Sequence, residues 1–265
     1  MVPLTSTFAT PGPITVEITL QSGGARVIAE DRESTTVEVL PANPGKKSDV
    51  EVAESTRVHF ADGRLDVRSP KTRVGLFTKP GTIDVVVRIP IGSVLRADTS
   101  YGDIEVDGQL AECWLKTSYG DLRVEEATVL SLESGYGDVT ASRLTGDTQF
   151  RVAWGKVEVG DVAAPLRVKT SGDIRLHRVS ANVQAHTGYG HVTVDEATAG
   201  ALDLATSYGR VDVGIAEGAA TYLELTTSYG RVRNELVPSE KAPDDAATVE
   251  VRARTSYGDI TIRRS

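Results

Sequence analysis

Eight aromatic side chains and a file of aspartates recur at one place in a repeated motif, and they are the residues of this chain best placed to do chemistry. Tyr101, Tyr119, Tyr136, Trp154, Tyr189, Tyr208, Tyr229 and Tyr257 each stand directly before a glycine, and Ser171 takes that place in the fifth repeat. Rings lined up along a corner offer a binding platform to a glycan or protein partner. The plainer reading is that each ring packs on its neighbour and shields the glycine, gaining about 0.5–1.5 kcal/mol per pair. Under either reading the missing ring at Ser171 is expected to split the file in two. The residue after the glycine runs Asp103, Asp121, Asp138, Lys156, Asp173, His191, Arg210, Arg231, Asp259. Three stacked aspartates repel one another by about 1 kcal/mol per pair in water, so something must offset them. Turn hydrogen bonds to each carboxylate are the ordinary answer. A Ca²⁺ ion bridging Asp103, Asp121 and Asp138 is the sharper one.

The remaining chemistry-bearing residues are sparse. Lys156 between Asp138 and Asp173 is where a polysaccharide lyase or hydrolase would place its acid and base. His59, His177, His186 and His191 show neither metal-ligand spacing nor a nearby nucleophile and acid, and surface or turn roles are expected. Cys113 falls on an inward position and is read as a small buried apolar residue. Pro44-Gly45-Lys46-Lys47-Ser48 echoes a phosphate loop, but Leu40 stands where the first glycine is required and no helix is expected to follow. The threonine file beside the tyrosines resembles the rows of ice-binding solenoids, although Ser and Tyr follow where a paired threonine row is needed.

The spacing of these motifs dictates the elements that carry them. The motif glycines are Gly102, Gly120, Gly137, Gly155, Gly172, Gly190, Gly209, Gly230 and Gly258, at intervals of 18, 17, 18, 17, 18, 19, 21 and 28 residues. A fixed short period over more than half the chain means stacked repeats. Within one repeat, Cys113, Leu115 and Thr117 alternate with Trp114, Lys116 and Ser118, and Leu122 and Val124 alternate with charged residues beyond the glycine. That is the period of two short strands, each with one buried face, joined at a glycine corner. The same offsets give apolar files down the chain, such as Leu95, Cys113, Leu130, and Ile104, Leu122, Val139, Val157. In-register parallel stacking produces such files. The predicted fold is an all-β parallel solenoid, a right-handed β-helix by the general handedness of crossovers.

Residues 93–265 carry the nine repeats, with an inserted loop at 235–248 that is read as a lid or an acidic excursion. Residues 1–92 are strand-rich without the beat, and are expected to form longer, irregular rungs or a small sandwich capping the solenoid and continuous with it. The chain ends six residues after Asp259. That last rung is therefore expected to be the open end, with Arg263 and Arg264 as charged guards or as part of a docking face for self-association.

Bulk properties narrow the function. Residues that are 40% apolar and 25% charged describe a globular protein, and the net charge of −8 argues against nucleic acid and anionic membrane surfaces. A single cysteine forms no internal bridge, and the sequence shows neither a signal-peptide pattern nor an apolar run of spanning length, so a cytoplasmic protein without membrane insertion is expected.

The segment Val87-Arg88-Ile89-Pro90-Ile91-Gly92-Ser93-Val94-Leu95, followed by Ser-x-Gly-Asp-Ile-x-Val units, resembles the bacterial β-strand-repeat "putative adhesin" family over roughly residues 14–265. A weaker likeness, in the short rungs, is to the bactofilin-type β-helices. The resemblance implies a parallel β-solenoid with no established catalytic residues, and no cofactor is expected. The combined expectation is a non-enzymatic scaffold presenting files of side chains to a protein or glycan, with a lectin-like tyrosine surface, a polymerising scaffold and a lyase as alternatives.

Overall fold

The computed structural model describes residues 4–71, 81–236 and 247–265. The chain divides into two compact units, residues 1–137 and 138–265, and both are built as β-solenoid.

The first unit contains β1 (Leu4–Ala9), β2 (Thr15–Ser22), β3 (Ala25–Glu30), β4 (Ser34–Pro41), helix α1 (Lys47–Ser55), β5 (Arg57–Ala61) and β6 (Arg64–Arg68). Strands β7 (Ile83–Pro90), β8 (Val94–Tyr101), β9 (Ile104–Tyr119) and β10 (Leu122–Tyr136) complete it. Parallel, in-register pairing places Val16, Leu95, Cys113 and Leu130 in one file and Val27, Val106 and Val124 in another. All of these are at most 1% exposed, which is the dry interior that the alternating pattern predicts.

Parallel rungs begin earlier than the sequence period does. Strands β2 and β3 form a rung in register with the first motif repeat, Ser22 lying opposite Tyr101 and Ala25 opposite Ile104. Antiparallel strands finish the unit: β5 pairs with β6, β4 with β7, and β1 with β4.

Helix α1 corrects one expectation, since a helix does follow the Pro44–Ser48 segment. Lys46 is turned inward to Asp49 (Nζ to Oδ1 2.6 Å), and the same carboxylate accepts the Thr82 N–H at 3.0 Å. The lysine is therefore used as an internal tie.

The second unit is wholly parallel. One face is β12 (Thr148–Trp154), β14 (Leu166–Thr170), β16 (Val183–Thr187), β18 (Gly200–Thr206), β22 (Thr248–Thr255) and β20 (Ala220–Thr227), in that spatial order. The other is β11 (Val139–Leu144), β13 (Val157–Val162), β15 (Ile174–Val179), β17 (Val192–Ala197), β19 (Val211–Ile215), β23 (Ile260–Arg264) and β21 (Val232–Asn234).

The order at the end of each face overturns the expectation that the C-terminal rung is the open end. The last strands, β22 and β23, are inserted between the seventh and eighth repeats and are paired on both sides. The eighth repeat, β20 and β21, is the outermost rung. Its inward-pointing residues are accordingly the least covered of their files: Leu223 and Leu225 are half-buried and Val232 is 45% exposed. Among the described residues the C-terminal rung therefore offers no free strand edge for self-association. Arg263 instead binds Asp212 (3.2 Å), and Arg264 donates to the Ala216 carbonyl at 2.8 Å. Within the inserted loop, residues 237–246 lie outside the described residues. Among the described residues no helix is long and apolar enough to cross a membrane.

Candidate functional site at the tyrosine-glycine corner

Three nested files of residues build the corner. The innermost is glycine, because successive rungs touch there backbone to backbone. A Cβ on Gly120, whose φ is +155°, would sit 2.1 Å from the Gly102 carbonyl oxygen, and one on Gly209 would sit 2.0 Å from that of Gly190. No side chain fits such an approach.

Threonine is the second file. In the first unit Thr117 donates its hydroxyl to the Gly102 carbonyl at 3.2 Å. In the second unit Thr170, Thr187, Thr206, Thr255 and Thr227 donate to Gly155, Gly172, Gly190, Gly209 and Gly258 at 2.7–3.0 Å. The partner is always the glycine of the rung before in space. All of these but Thr227, on the outermost rung, are at most 7% exposed, so they are structural ties and no ice-binding surface is formed by them. Ser134, which replaces threonine in the third repeat, keeps a buried Oγ with no partner.

The residue after the glycine is the third file, and it resolves the aspartate question. Asp103 accepts the Asp121 backbone N–H (2.8 Å), Asp138 that of Lys156 (2.7 Å), Asp173 that of His191 (2.7 Å) and Asp259 that of Arg231 (2.8 Å). Each carboxylate thus caps the next rung's amide, and this bond offsets the repulsion between stacked aspartates. His191 does the same through Nδ1 to Arg210 N–H at 3.1 Å. Among the described residues no group of three or more His, Cys, Asp or Glu is placed to hold a metal ion.

On this frame the aromatic rings project outward, 49–71% exposed. In the first unit Tyr101, Tyr119 and Tyr136 stack with centroids 5.3 and 5.1 Å apart and planes within 5°. In the second, Tyr189, Tyr208, Tyr257 and Tyr229 stack in that order at 5.4, 5.2 and 4.9 Å. The gap at Ser171 does not break this second file. The longer indole of Trp154 leans across it to lie 6.1 Å from Tyr189, with the planes 12° apart. Stacking turns the ring faces onto one another, so solvent meets ring edges and phenol hydroxyls.

Lys156 is tied to a neighbouring carboxylate. Its Nζ binds Glu158 at 2.5 Å, and Glu158 also receives His177 Nε2 at 2.9 Å. The hydrogen bonds from Lys156 and then His177 hold the Glu158 carboxyl down at about 2. His177 Nδ1 reaches Asp195 at 2.7 Å. This chain of side-chain contacts across β13, β15 and β17 went unseen in the sequence, because Glu158, His177 and Asp195 lie 19 and 18 residues apart and only the register brings them together. The Arg96 guanidinium over the Trp114 ring, 4.7 Å from its centroid, was hidden for the same reason. Cys113 is fully buried, and burial pushes its thiol pKa up; it is inert.

Rungs of about 18 residues, parallel in-register strands and a close-packed glycine corner define a parallel β-solenoid of the stacked-repeat type. The chain belongs to the Toastrack DUF4097 family, which it matches over residues 15–263. It is similar in fold to the "Putative lipid binding protein" of Parabacteroides distasonis, at 12% identity and a TM-score of 0.54, covering 98% of this chain and 96% of that one. A "putative adhesin" of Bacteroides fragilis is similar at 11% identity and a TM-score of 0.39, covering 98% and 97%. No curated protein matches the chain.

Proposed function

We propose that this protein is a non-enzymatic structural and interaction module whose stiff solenoid holds files of aromatic side chains toward a protein or glycan partner. The observation that carries this reading is the exposed, stacked aromatic file at a corner whose threonine hydroxyls and aspartate carboxylates hold neighbouring rungs together. Because edges and hydroxyls face outward, the partner is met by a row of phenol groups repeating at about the rung spacing of 4.8 Å. A sugar ring stacks face-on only at an uncovered terminal ring such as Tyr229. The test is binding of the full chain to glycan arrays and to proteins from its native host, repeated with Tyr119→Ala plus Tyr208→Ala. Affinity unchanged in the double variant removes the aromatic file as the binding surface.

A second reading, self-assembly, draws support from the outermost rung, where β20 and β21 have an unpaired edge among the described residues and half-covered Leu223 and Leu225. Sedimentation of the wild type against Leu225→Lys tests it. Monomers in both would exclude it.

A further inference from the structure

On the outward face of β12, β14 and β16, six side chains form a grid of two columns by three rungs. Gln149, Arg167 and Gln184 are cross-strand neighbours in one column, and Arg151, Lys169 and His186 in the other. Adjacent rungs lie about 4.8 Å apart, and residues two apart on a strand about 7 Å. All six carry N–H donors and none is a carboxylate. They surround a hollow of about 150 Å³.

Three of them are full cations without a counterion: among the described residues Arg151, Arg167 and Lys169 make no ion pair or hydrogen bond. Arg151 lies directly opposite Lys169, and like charges in that relation destabilise a sheet. Further along the same face the cations are matched, Arg252 with Glu224 at 2.7 Å and Arg254 with Asp203 at 2.9 Å. Asp203 is the acidic group facing the grid from β18, 3.5 Å from His186 Nε2, and it is already held by Arg254. Just before β12, Asp147 makes no ion pair with Arg167. A chain of net charge −8 thus keeps three unneutralised cations together on two adjacent rungs.

We infer that this grid is a binding site for a tetrahedral oxyanion, a phosphate or sulfate group, free or carried as a single ester on a sugar. The guanidinium forks of Arg151 and Arg167 and the Lys169 ammonium supply charge-assisted hydrogen bonds to its oxygens, and Gln149 and Gln184 flank them with amide donors. The acidic remainder of the surface repels a densely charged polyanion, so the ligand is an isolated anionic group rather than a nucleic acid. The site lies on a strand face apart from the aromatic corner and does not depend on the function proposed for it.

The test is titration calorimetry on the full chain with sodium sulfate, sodium phosphate, a sugar monophosphate, a sugar monosulfate and duplex DNA, at ionic strength matched with sodium chloride. Sulfate and phosphate are expected to bind where chloride does not. Esters binding more tightly than the free ions would identify a carried group, and equal affinities a free-anion site; both support the assignment. R151Q/K169Q is expected to weaken binding by about tenfold or more, while the exposed control R123Q leaves it unchanged. These substitutions lie on a solvent face, and a circular dichroism spectrum matching wild type establishes that they fold. Binding no better than chloride, wild-type affinity in R151Q/K169Q, or DNA binding more tightly than every ester would each overturn the assignment.

Discussion

Thr187→Val isolates the tie between rungs with little change in shape. The Thr187 hydroxyl donates to the Gly172 carbonyl at 2.7 Å and accepts the Gly190 N–H at 3.2 Å, and the residue is 7% exposed. Valine fills the same volume, stays β-branched and suits a strand at least as well, which returns a few tenths of a kcal/mol at most. Each neutral hydrogen bond contributes about 1 kcal/mol net, and leaving a buried amide without an acceptor costs more than the bond itself was worth. The expected loss is about 2–3 kcal/mol, or roughly 5–10 °C in Tm for a chain of this size. The natural control is Ser134→Ala, because the Ser134 Oγ is buried without a partner. Deleting an unsatisfied hydroxyl is expected to change stability by no more than about 0.5 kcal/mol, or to raise it. Urea unfolding followed by circular dichroism gives both values, and native-state hydrogen exchange at Gly190 reports the orphaned amide directly. Equal stability of T187V and wild type, or a loss in S134A as large as that in T187V, would refute the claim that the threonine file is held by these bonds.

Two further outcomes follow from the register and the charges. Ala205 lies opposite Arg254, and Arg254 opposite Thr226, so the pair A205C/R254C is expected to form a disulfide under mild oxidation and A205C/T226C is not. Neighbouring rungs place Cα atoms about 4.8 Å apart, inside the range a disulfide accepts, and the second pair is two rungs apart. Peptide mapping by mass spectrometry reads the outcome, and a disulfide in A205C/T226C alone would restore the chain-order arrangement. Glu158, held at about 2 against an ordinary 4.5 by Lys156 and His177, contributes stability that is present above about pH 4.5 and lost as pH falls toward about 2. Glu158→Gln is expected to cost less than about 1 kcal/mol near pH 7, given its partly exposed partners, with the difference from wild type vanishing at about pH 2. A gap in urea midpoints that widened in acid would contradict this sign.

What could be read from the chain and what could not divides along physical lines. The inward files were legible because burial on one strand face imposes a period of two, and stacking imposes the longer period of about 18. The first rung was not, because Leu20, Ser22 and Gly24 hold the places that threonine, tyrosine and aspartate hold elsewhere. Its backbone still repeats the rest: Gly23 N–H donates to the Tyr101 carbonyl at 2.7 Å, as Gly102 N–H donates to Tyr119 at 2.8 Å. Helix α1 was masked by Val50 and Val52, whose alternation with Asp49 and Glu51 imitates a strand. At the corner, aspartate is common turn chemistry, but its acceptance of the next rung's amide depends on a neighbour 18 residues away. The splitting of the aromatic file at Ser171 failed as an expectation because ring reach differs: an indole covers two rung steps where a phenol covers one.

The inserted position of the last rung follows from residues that looked like irregularities. Arg210 and Arg231 break the file of acceptors after the glycine, and Asn234 breaks an otherwise apolar file. In chain order Arg231 would lie between Arg210 and Asp259, and two corner amides, those of Arg231 and Asp259, would face arginines that offer no acceptor. Asn234 would lie inside a dry file between Val213 and Ile262, at about 1–3 kcal/mol for an amide without partners. With β22 and β23 inserted, Asp259 accepts the Arg231 amide at 2.8 Å. Asn234 moves to the exposed outer rung, and only the Asp259 amide faces an arginine. The apolar residues favour the same order, since the eighth repeat leaves Leu223, Leu225 and Val232 at the end where the ninth would leave Val249, Val251, Ala253, Ile260 and Ile262. Polar and apolar groups therefore select the same order. A repeat whose glycine is followed by arginine is suited to the end of a solenoid, and one followed by aspartate needs another rung beyond it.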